Sequence, residues 1–190
     1  MRVTIFQDIY KKNKSDAHVI QLSTALKRIK EGNSQTVIEA IRDGSKDFKK
    51  KLPVVLFSGE FKARNDEALE KHSQFIVLDF DHINVEASKA VLSTDPYVYS
   101  CWVSPSGDGL KALVKITNPE RHRDHFRALR TYFEKQYTLE VDESGINESR
   151  ACFESWDPDI IINEQSKPFG AFSTEKSESQ VAVSQSGSYT

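Results

Sequence analysis

The sequence is short of cysteine, of long apolar runs and of net charge, and each shortage excludes a class of protein. The 190 residues include only Cys101 and Cys152, which lie in apolar stretches without a CxxC motif and so predict buried, reduced thiols of a cytoplasmic protein. No apolar run approaches the roughly 20 residues of a membrane span, and residues 1–10 lack the layout of a signal peptide, so we expect no contact with a membrane. The net charge of −2 excludes a uniformly basic nucleic-acid coat protein.

Several catalytic signatures are also missing. The sequence has no HxxxH or HExxH zinc motif, no GxSxG nucleophile elbow and no Walker loop. His82, His122 and His125 are therefore expected on the surface rather than as zinc ligands.

What the sequence does have is an uneven distribution of charge. Residues 1–51 carry a net charge of +6 and residues 52–163 a net charge of −7. Within residues 140–160, Arg150 is the only basic residue among seven carboxylates. Both regions are consistent with ordinary solvated faces, but the acidic region also contains the motifs considered below.

The pattern along the chain divides it into three regions. Residues 1–73 form a basic α/β part, residues 74–163 a core, and residues 164–190 a flexible Ser/Gln-rich tail or linker. In the first region we predict five elements: a strand at Arg2–Gln7, helices at Ala17–Lys30 and Gln35–Arg42, a strand in LPVVLFSG (52–59) and a short helix at Asp66–His72.

The core shows the element order βαββαβ, which is typical of ferredoxin-like and RRM-like folds. Its elements are a strand FIVLDFD (75–81), a helix NVEASKAVLS (84–93) capped by Asn84, strands YVYSCWV (97–103) and LKALVKI (110–116), a helix from Pro119 to about Tyr137 capped by Asn118, and a strand near Arg150–Glu154. We therefore expect an α+β fold whose antiparallel sheet has the first and third strands at its centre and the fourth beside the first.

This topology brings three distant segments to one end of one sheet. Asp79 and Asp81 end the first strand, Lys111 begins the third, and Asp142 precedes the fourth. Alternation along the first strand points Ile76, Leu78 and Phe80 towards the helices and the two aspartates towards an open face. Carboxylates this close repel unless a cation lies between them, and Mg²⁺ prefers such oxygens, so we predict a metal site with Asp142 as third ligand.

The loop SPSGDG (104–109) is a hairpin connection that can also bind phosphate. Gly107 and Gly109 allow backbone amides to approach an anion, Ser106 offers a hydroxyl donor, and Lys111 supplies a positive charge. Arg150 either forms a structural ion pair or reaches a triphosphate through bidentate hydrogen bonds.

Three ordered motifs resemble those of the archaeo-eukaryotic primase superfamily, particularly the primase-polymerases of plasmids, phages and integrated elements. They are DFD at 79–81, SGDGLK at 106–111 and VDESGINESR at 141–150. The VirE N-terminal or primase-like domain is the most similar, over roughly residues 45–162. The resemblance implies an RRM-like core with an N-terminal α/β extension, and a DNA primase/polymerase activity used in replication.

The resemblance also implies roles for individual residues. Asp79, Asp81 and Asp142 would be catalytic and would hold two Mg²⁺ or Mn²⁺ ions, while Ser106 and Lys111 contact the incoming triphosphate with Arg150 nearby. The implied partners are a single-stranded DNA template, nucleoside triphosphates and a helicase-like domain or protein. The superfamily usually has histidine at the position of Lys111, which puts activity in question.

Two other functions are consistent with the sequence. LDFDHI resembles the DxDx[TV] motif of haloacid-dehalogenase phosphatases, with Asp79 as nucleophile, although that fold needs a parallel sheet. The core could instead be a non-catalytic RRM-like module, with Tyr97 and Tyr99 stacking on bases.

Overall fold

The computed structural model describes residues 1–173, which form a mixed α+β fold, as predicted. The helices are α1 (Leu22–Glu31), α2 (Gln35–Arg42), α3 (Val85–Leu92) and α4 (His122–Tyr137). The strands are β1 (Arg2–Phe6), β2 (His18–Gln21), β3 (Val54–Leu56), β4 (Gly59–Phe61), β5 (Leu69–His72), β6 (Phe75–Phe80), β7 (Val98–Val103), β8 (Leu110–Lys115), β9 (Cys152–Phe153) and β10 (Ile161–Ile162). These strands pair in antiparallel fashion to build two four-stranded sheets and the β4–β5 hairpin.

The first sheet has the order β2-β1-β3-β9 and is built mainly from the N-terminal region. Helix α2 has the predicted bounds, but α1 begins at Leu22 rather than Ala17 because residues 18–21 pair with β1. The prediction of a helix at Asp66–His72 is wrong. Asn65 caps a single 3₁₀ turn, and Leu69–His72 then pairs with β4. A helix this short is less stable than the strand pairing, because helix nucleation is costly.

The second sheet has the order β10-β7-β8-β6, and α3 and α4 cover one of its faces. As predicted, Ile76, Leu78 and Phe80 are fully buried on this helix side. The predicted caps are also confirmed, because the Asn84 side chain accepts a hydrogen bond from the Ala87 amide and the Asn118 side chain accepts one from Glu120. Sequence patterns therefore located the elements from β6 to α4 well.

The fourth strand does not take its predicted place beside the first. β9 pairs with β3, through Val54 with Phe153 and Val55 with Cys152, so β6 is an edge strand. The next residue explains this pairing. The buried Glu154 carboxylate accepts hydrogen bonds from Arg28 and Ser34, and these contacts hold the segment against the N-terminal region.

The face predicted to be open is covered by the first sheet. Phe75, Val77 and Leu113 pack in a buried cluster with Val55 and Phe57 of the N-terminal region. The two sheets therefore form a sandwich whose apolar cluster crosses the boundary predicted at residue 73. Asp79 lies at one end of this sandwich rather than on an open surface.

Part of the predicted tail packs on the core. Phe169 is buried, and its amide donates to the Lys115 carbonyl over 2.7 Å, while the Lys167 amide donates to Pro96 over 2.7 Å. The Phe169 ring contacts Tyr97 and Tyr132, so aromatic packing adds to these hydrogen bonds in holding the segment. Residues 164–173 thus belong to the fold, and the rest of the predicted tail, 174–190, lies outside the described residues.

Both cysteines are buried free thiols, as predicted. Burial raises the pKa of Cys101 to about 12 and that of Cys152 to about 11. Among residues 1–173, no helix combines the length and the apolar character that a bilayer crossing requires.

Candidate functional site

The three predicted carboxylates meet at the end of β6. Asp79 lies on β6, Asp81 follows it, and Asp142 precedes a 3₁₀ turn at Glu143–Ile146. The Asp142 amide donates to the Asp79 carbonyl over 2.9 Å, which fixes the two segments side by side. One carboxylate oxygen from each aspartate lies within 4.8 Å of the other two. The convergence predicted from the sequence is therefore present, although β9 is paired elsewhere.

Asp79 lies between two cations and has one unsatisfied oxygen. Lys111 is its cross-strand partner on β8, and the Lys111 ammonium donates to Asp79 Oδ2. Arg150 Nη2 lies 3.8 Å from the same oxygen. The other oxygen, Oδ1, is buried and has no hydrogen-bond partner within residues 1–173. A buried carboxylate oxygen without a donor is unfavourable unless a further ligand binds it.

Asp142 is fully hydrogen-bonded. Its oxygens accept from the Ser144 amide over 2.9 Å and the Ser144 hydroxyl over 2.6 Å, and Arg150 Nη2 donates to it over 2.9 Å. Burial opposes ionisation, but these Ser144 and Arg150 contacts outweigh it and lower the pKa of Asp142. Asp142 therefore remains a carboxylate well below neutral pH.

The third carboxylate and the central lysine have pKa values shifted upwards. Burial raises the pKa of Asp81, and the neighbouring Asp79 charge adds to the effect. Burial opposes the charged form of Lys111, yet the nearby Cys152 and Asp79 side chains raise the pKa of this lysine. Lys111 is thus a buried cation that neutralises part of the acidic cluster, and the remaining negative charge favours a bound cation.

The glycine-containing loop packs directly on the acidic strand end. A Cβ added at Gly109 would lie 2.4 Å from the Phe80 carbonyl, so only glycine permits this approach. Gly107 has a φ of 83°, in the left-handed region, and lies beside the Arg42 side chain. Arg42 Nη2 donates to the Ser104 carbonyl over 3.2 Å, which ties the loop to the end of α2.

The predicted phosphate donor in this loop is engaged within the loop. The Ser106 hydroxyl donates to Asp108, whose other oxygen contacts His82 Nδ1 at 3.0 Å. Hydrogen bonds from Ser106, together with His82, lower the pKa of Asp108 although burial opposes this shift. The structure therefore brings the loop to the acidic cluster but leaves Ser106 occupied.

A cleft of about 500 Å³ opens beside Asp79. Lys111 and Arg150 line it, as expected, whereas Ser106, Gly107 and Gly109 do not. Sequence reasoning missed five polar or charged residues of its wall: Lys49, Arg64, Ser144, Asn147 and Ser149. The Arg64 Nε atom is buried and unpaired within the described part of the chain. The Lys49–Lys51 run and the VDESGINESR motif at 141–150 were the available signals, whereas nothing near Arg64 in the sequence marks that residue.

The acidic cluster fits a divalent cation. Neighbouring ligand oxygens of an octahedral Mg²⁺ lie about 3.0 Å apart and opposite ones about 4.2 Å apart, so oxygens within 4.8 Å of one another would close by up to about 1.8 Å per pair to share one ion. The unpartnered Asp79 Oδ1 and the exposed Asp81 would accept such an ion without breaking a hydrogen bond.

Two of the three histidines predicted on the surface are buried. His122 and His125 are 2% and 0% exposed, whereas the His82 side chain is 85% exposed. His122 Nδ1 lies 3.0 Å from His72 Nε2, and burial lowers the pKa of His122 to about 3 and that of His72 to about 4. Both are therefore neutral at physiological pH. No carboxylate or thiol completes a metal site around them in residues 1–173.

A family model described as "BT4734-like, N-terminal domain" matches residues 47–161, which is more than half of the chain. The chain belongs to the BT4734-like N-terminal domain family. The match spans β3 to β10 and includes every site residue predicted from the sequence. The search of curated proteins and the search of solved structures gave no match. Membership of the BT4734-like family assigns no activity by itself, so the resemblance to primases remains a prediction.

Proposed function

We propose that this BT4734-like domain is a primase-polymerase-type nucleotidyltransferase that synthesises or extends primers on single-stranded DNA. The observation that carries the proposal is the unpartnered Asp79 Oδ1 in a cluster of three carboxylates beside a cation-lined cleft. Nucleotidyl transfer needs this combination, with acidic groups for metal ions and basic groups for the triphosphate.

The proposal also assigns each part of the α+β fold to a part of a primase-like domain. The unit β6–α3–β7–β8–α4 is the counterpart of the RRM-like core, and the first sheet is the counterpart of the N-terminal α/β extension. In this assignment β9 has moved from the core sheet to the extension. The catalytic cleft then lies between the two parts.

The side chains have distinct roles in the reaction. Asp79, Asp81 and Asp142 would hold Mg²⁺ or Mn²⁺. When bound, a pair of such ions activates the primer 3′-hydroxyl and neutralises the leaving pyrophosphate. Arg150 and Lys111 bind triphosphate oxygens from the cleft wall. Lys111 would release Asp79 Oδ2 as it does so, and the Asp79 carboxylate would then be free to hold a metal ion.

One observation favours a second function, a nucleic-acid-binding module without catalysis. Lys111 already neutralises Asp79, and Arg150 neutralises Asp142, so ion pairs alone can balance part of the acidic cluster. The phosphatase alternative is disfavoured, because β6 pairs with β8 in antiparallel fashion and haloacid-dehalogenase phosphatases need a parallel sheet.

The test is primer synthesis and extension on single-stranded DNA with nucleoside triphosphates and Mg²⁺ or Mn²⁺. Asp81→Asn is the cleanest variant, because Asp81 is exposed and accepts no hydrogen bond within the described residues. Asp142→Ala is the second variant, and Glu86→Ala, an exposed carboxylate on α3, is the matched control. We expect at least a hundredfold loss in the first two and none in the control. Equal activity in all the proteins would refute the assignment, and strong metal-independent binding without incorporation would select the binding module.

A further inference from the structure

Two exposed segments border the cleft and together form its basic rim. They are the rim loop, residues 8–16, and the lysine turn, Lys46–Lys51. Ile9 of the rim loop and Lys49 of the lysine turn line the same cleft as Asp79. The basic rim is therefore continuous with the acidic site.

Hydrogen bonds and packing hold the basic rim against the cleft wall. The Arg64 amide donates to the Lys12 carbonyl over 3.0 Å, and Arg64 Nη2 donates to the Ile9 carbonyl over 2.7 Å. On the other side, Lys49 Nζ lies 5.4 Å from the centre of the Phe153 ring. The rim's position relative to the site is thus set by the residues of the cleft itself.

The basic rim carries positive charge that the protein does not neutralise. Its exposed lysines are Lys11, Lys12, Lys14, Lys46, Lys49, Lys50 and Lys51. Of these seven lysines, only Lys50 has a carboxylate of residues 1–173 within ion-pair distance, Asp47 at 3.9 Å. The two acids of the rim loop instead accept hydrogen bonds from backbone amides of the loop, Asp8 from Tyr10 and Lys11 and Asp16 from Asn13. A polyanion is therefore the matching partner.

Exposed aromatic rings accompany these lysines. Tyr10 in the rim loop is 70% exposed and Phe48 in the lysine turn is 38% exposed. Lys51 Nζ lies 4.1 Å from the centre of the Phe48 ring. Rings surrounded by unpaired lysines favour a strand whose bases are free to stack, because a duplex hides its base faces.

We propose that the basic rim binds single-stranded DNA and delivers it to the cleft. The lysines contact phosphates, while Tyr10 and Phe48 stack on bases. This inference rests on the proposed function for the role of the bound strand as template, but the binding itself requires neither metal nor catalysis.

The experiment measures fluorescence anisotropy of a labelled single strand with the whole chain in EDTA, across a range of salt concentrations. We expect Tyr10→Ala and Phe48→Ala each to weaken binding about tenfold, as for the loss of one stacked base. The triple change Lys11→Gln, Lys12→Gln and Lys46→Gln should reduce the slope of log K against log salt by about 2. The matched control changes three other exposed lysines, Lys27, Lys30 and Lys135, to glutamine and should leave the slope unchanged.

The outcomes separate this inference from the proposed function. Each of three results would overturn the inference. Duplex DNA binds as tightly as the single strand, the alanine variants bind like the wild type, or the control triple variant reduces the salt slope as much as the rim triple variant does. Glu86→Ala, which lies outside the cleft, should bind like the wild type in EDTA. Binding that depends on the rim without nucleotide incorporation would refute the proposed function and leave the binding surface. Nucleotide incorporation by a protein whose DNA binding does not depend on the rim would refute the binding surface and leave the proposed function.

Discussion

The Asp79–Lys111 pair yields the sharpest prediction about the energetics of the site. The two side chains are 15% and 9% exposed, so each charge depends on the other rather than on water. Removing one partner of a buried pair typically costs 3–5 kcal/mol, whereas replacing both is often close to neutral. We therefore expect Asp79→Asn to destabilise the protein by about 3 kcal/mol, Lys111→Met by about 2 kcal/mol, and the double variant by no more than about 2 kcal/mol.

The smaller value for Lys111→Met follows from the position of Arg150. Its Nη2 atom lies 3.8 Å from Asp79 Oδ2 and takes over part of the neutralisation when the lysine is absent. These values correspond to a coupling energy of about 3 kcal/mol between the two residues. A loss of 3 kcal/mol lowers the melting temperature of a chain of this size by roughly 6–12 °C.

The assay is denaturant unfolding in EDTA, followed by the fluorescence of Trp102 in a Trp156→Phe background, because Trp156 is the second tryptophan of the chain. This residue is fully buried and lies opposite Lys111 on β7, so it reports on the same part of the sheet. The control is an equivalent cycle on Lys62 and Glu70, whose ion pair spans 2.6 Å but is about half exposed. The control coupling should be below about 1 kcal/mol. A coupling at Asp79–Lys111 no larger than the control would refute the buried-pair reasoning.

Two further predictions concern a close backbone approach and the buried histidine pair. Gly109→Ala forces a Cβ to within 2.4 Å of the Phe80 carbonyl and should destabilise the protein by about 2 kcal/mol or more in denaturant unfolding, whereas Gly170→Ala, with its nearest neighbour at 3.7 Å, should have little effect. His122 is neutral in the folded protein because its pKa falls to about 3, so the unfolded chain takes up more protons as the pH drops below about 6.5. The wild type should lose about 1.4 kcal/mol of stability per pH unit below 6.5 through this group, and His122→Gln should show a shallower pH dependence; identical profiles would contradict the assignment.

The elements from β6 to α4 could be predicted because their signals are local. The apolar alternation of Ile76, Leu78 and Phe80 and the caps at Asn84 and Asn118 each act within a few residues. The convergence of Asp79 and Asp142 was predicted from a topology with the fourth strand beside the first. The hydrogen bond between their backbones confirms the convergence, although β9 pairs with β3 instead.

The sequence does contain a signal that the second face of the β6–β8 sheet is covered. Phe75 and Val77 alternate with the helix-facing residues of β6, and Leu113 does the same on β8. Large apolar residues on both faces of a strand indicate burial on both faces. This pattern could have replaced the expected open face with a sandwich.

Other features could not be predicted, because they depend on the assembled fold. β9 has two residues, too few for periodicity, and its pairing with β3 depends on the contacts of Glu154 with Arg28 and Ser34. Arg64 reaches the cleft from an irregular segment without a motif. The burial of Phe169 likewise depends on Tyr97 and Tyr132, which are distant in sequence.

The pairing of β9 with β3 has a consequence for how the site comes into existence. It joins Val54 to Phe153, about one hundred residues apart, and such contacts are entropically costly to form early in folding. Ala151 and Phe153 reach the cleft through this contact, so an intermediate with both sheets but without β9 would have an incomplete cleft wall. Native-state hydrogen exchange should therefore show the β9 amides opening together with the cleft, as one cooperative unit.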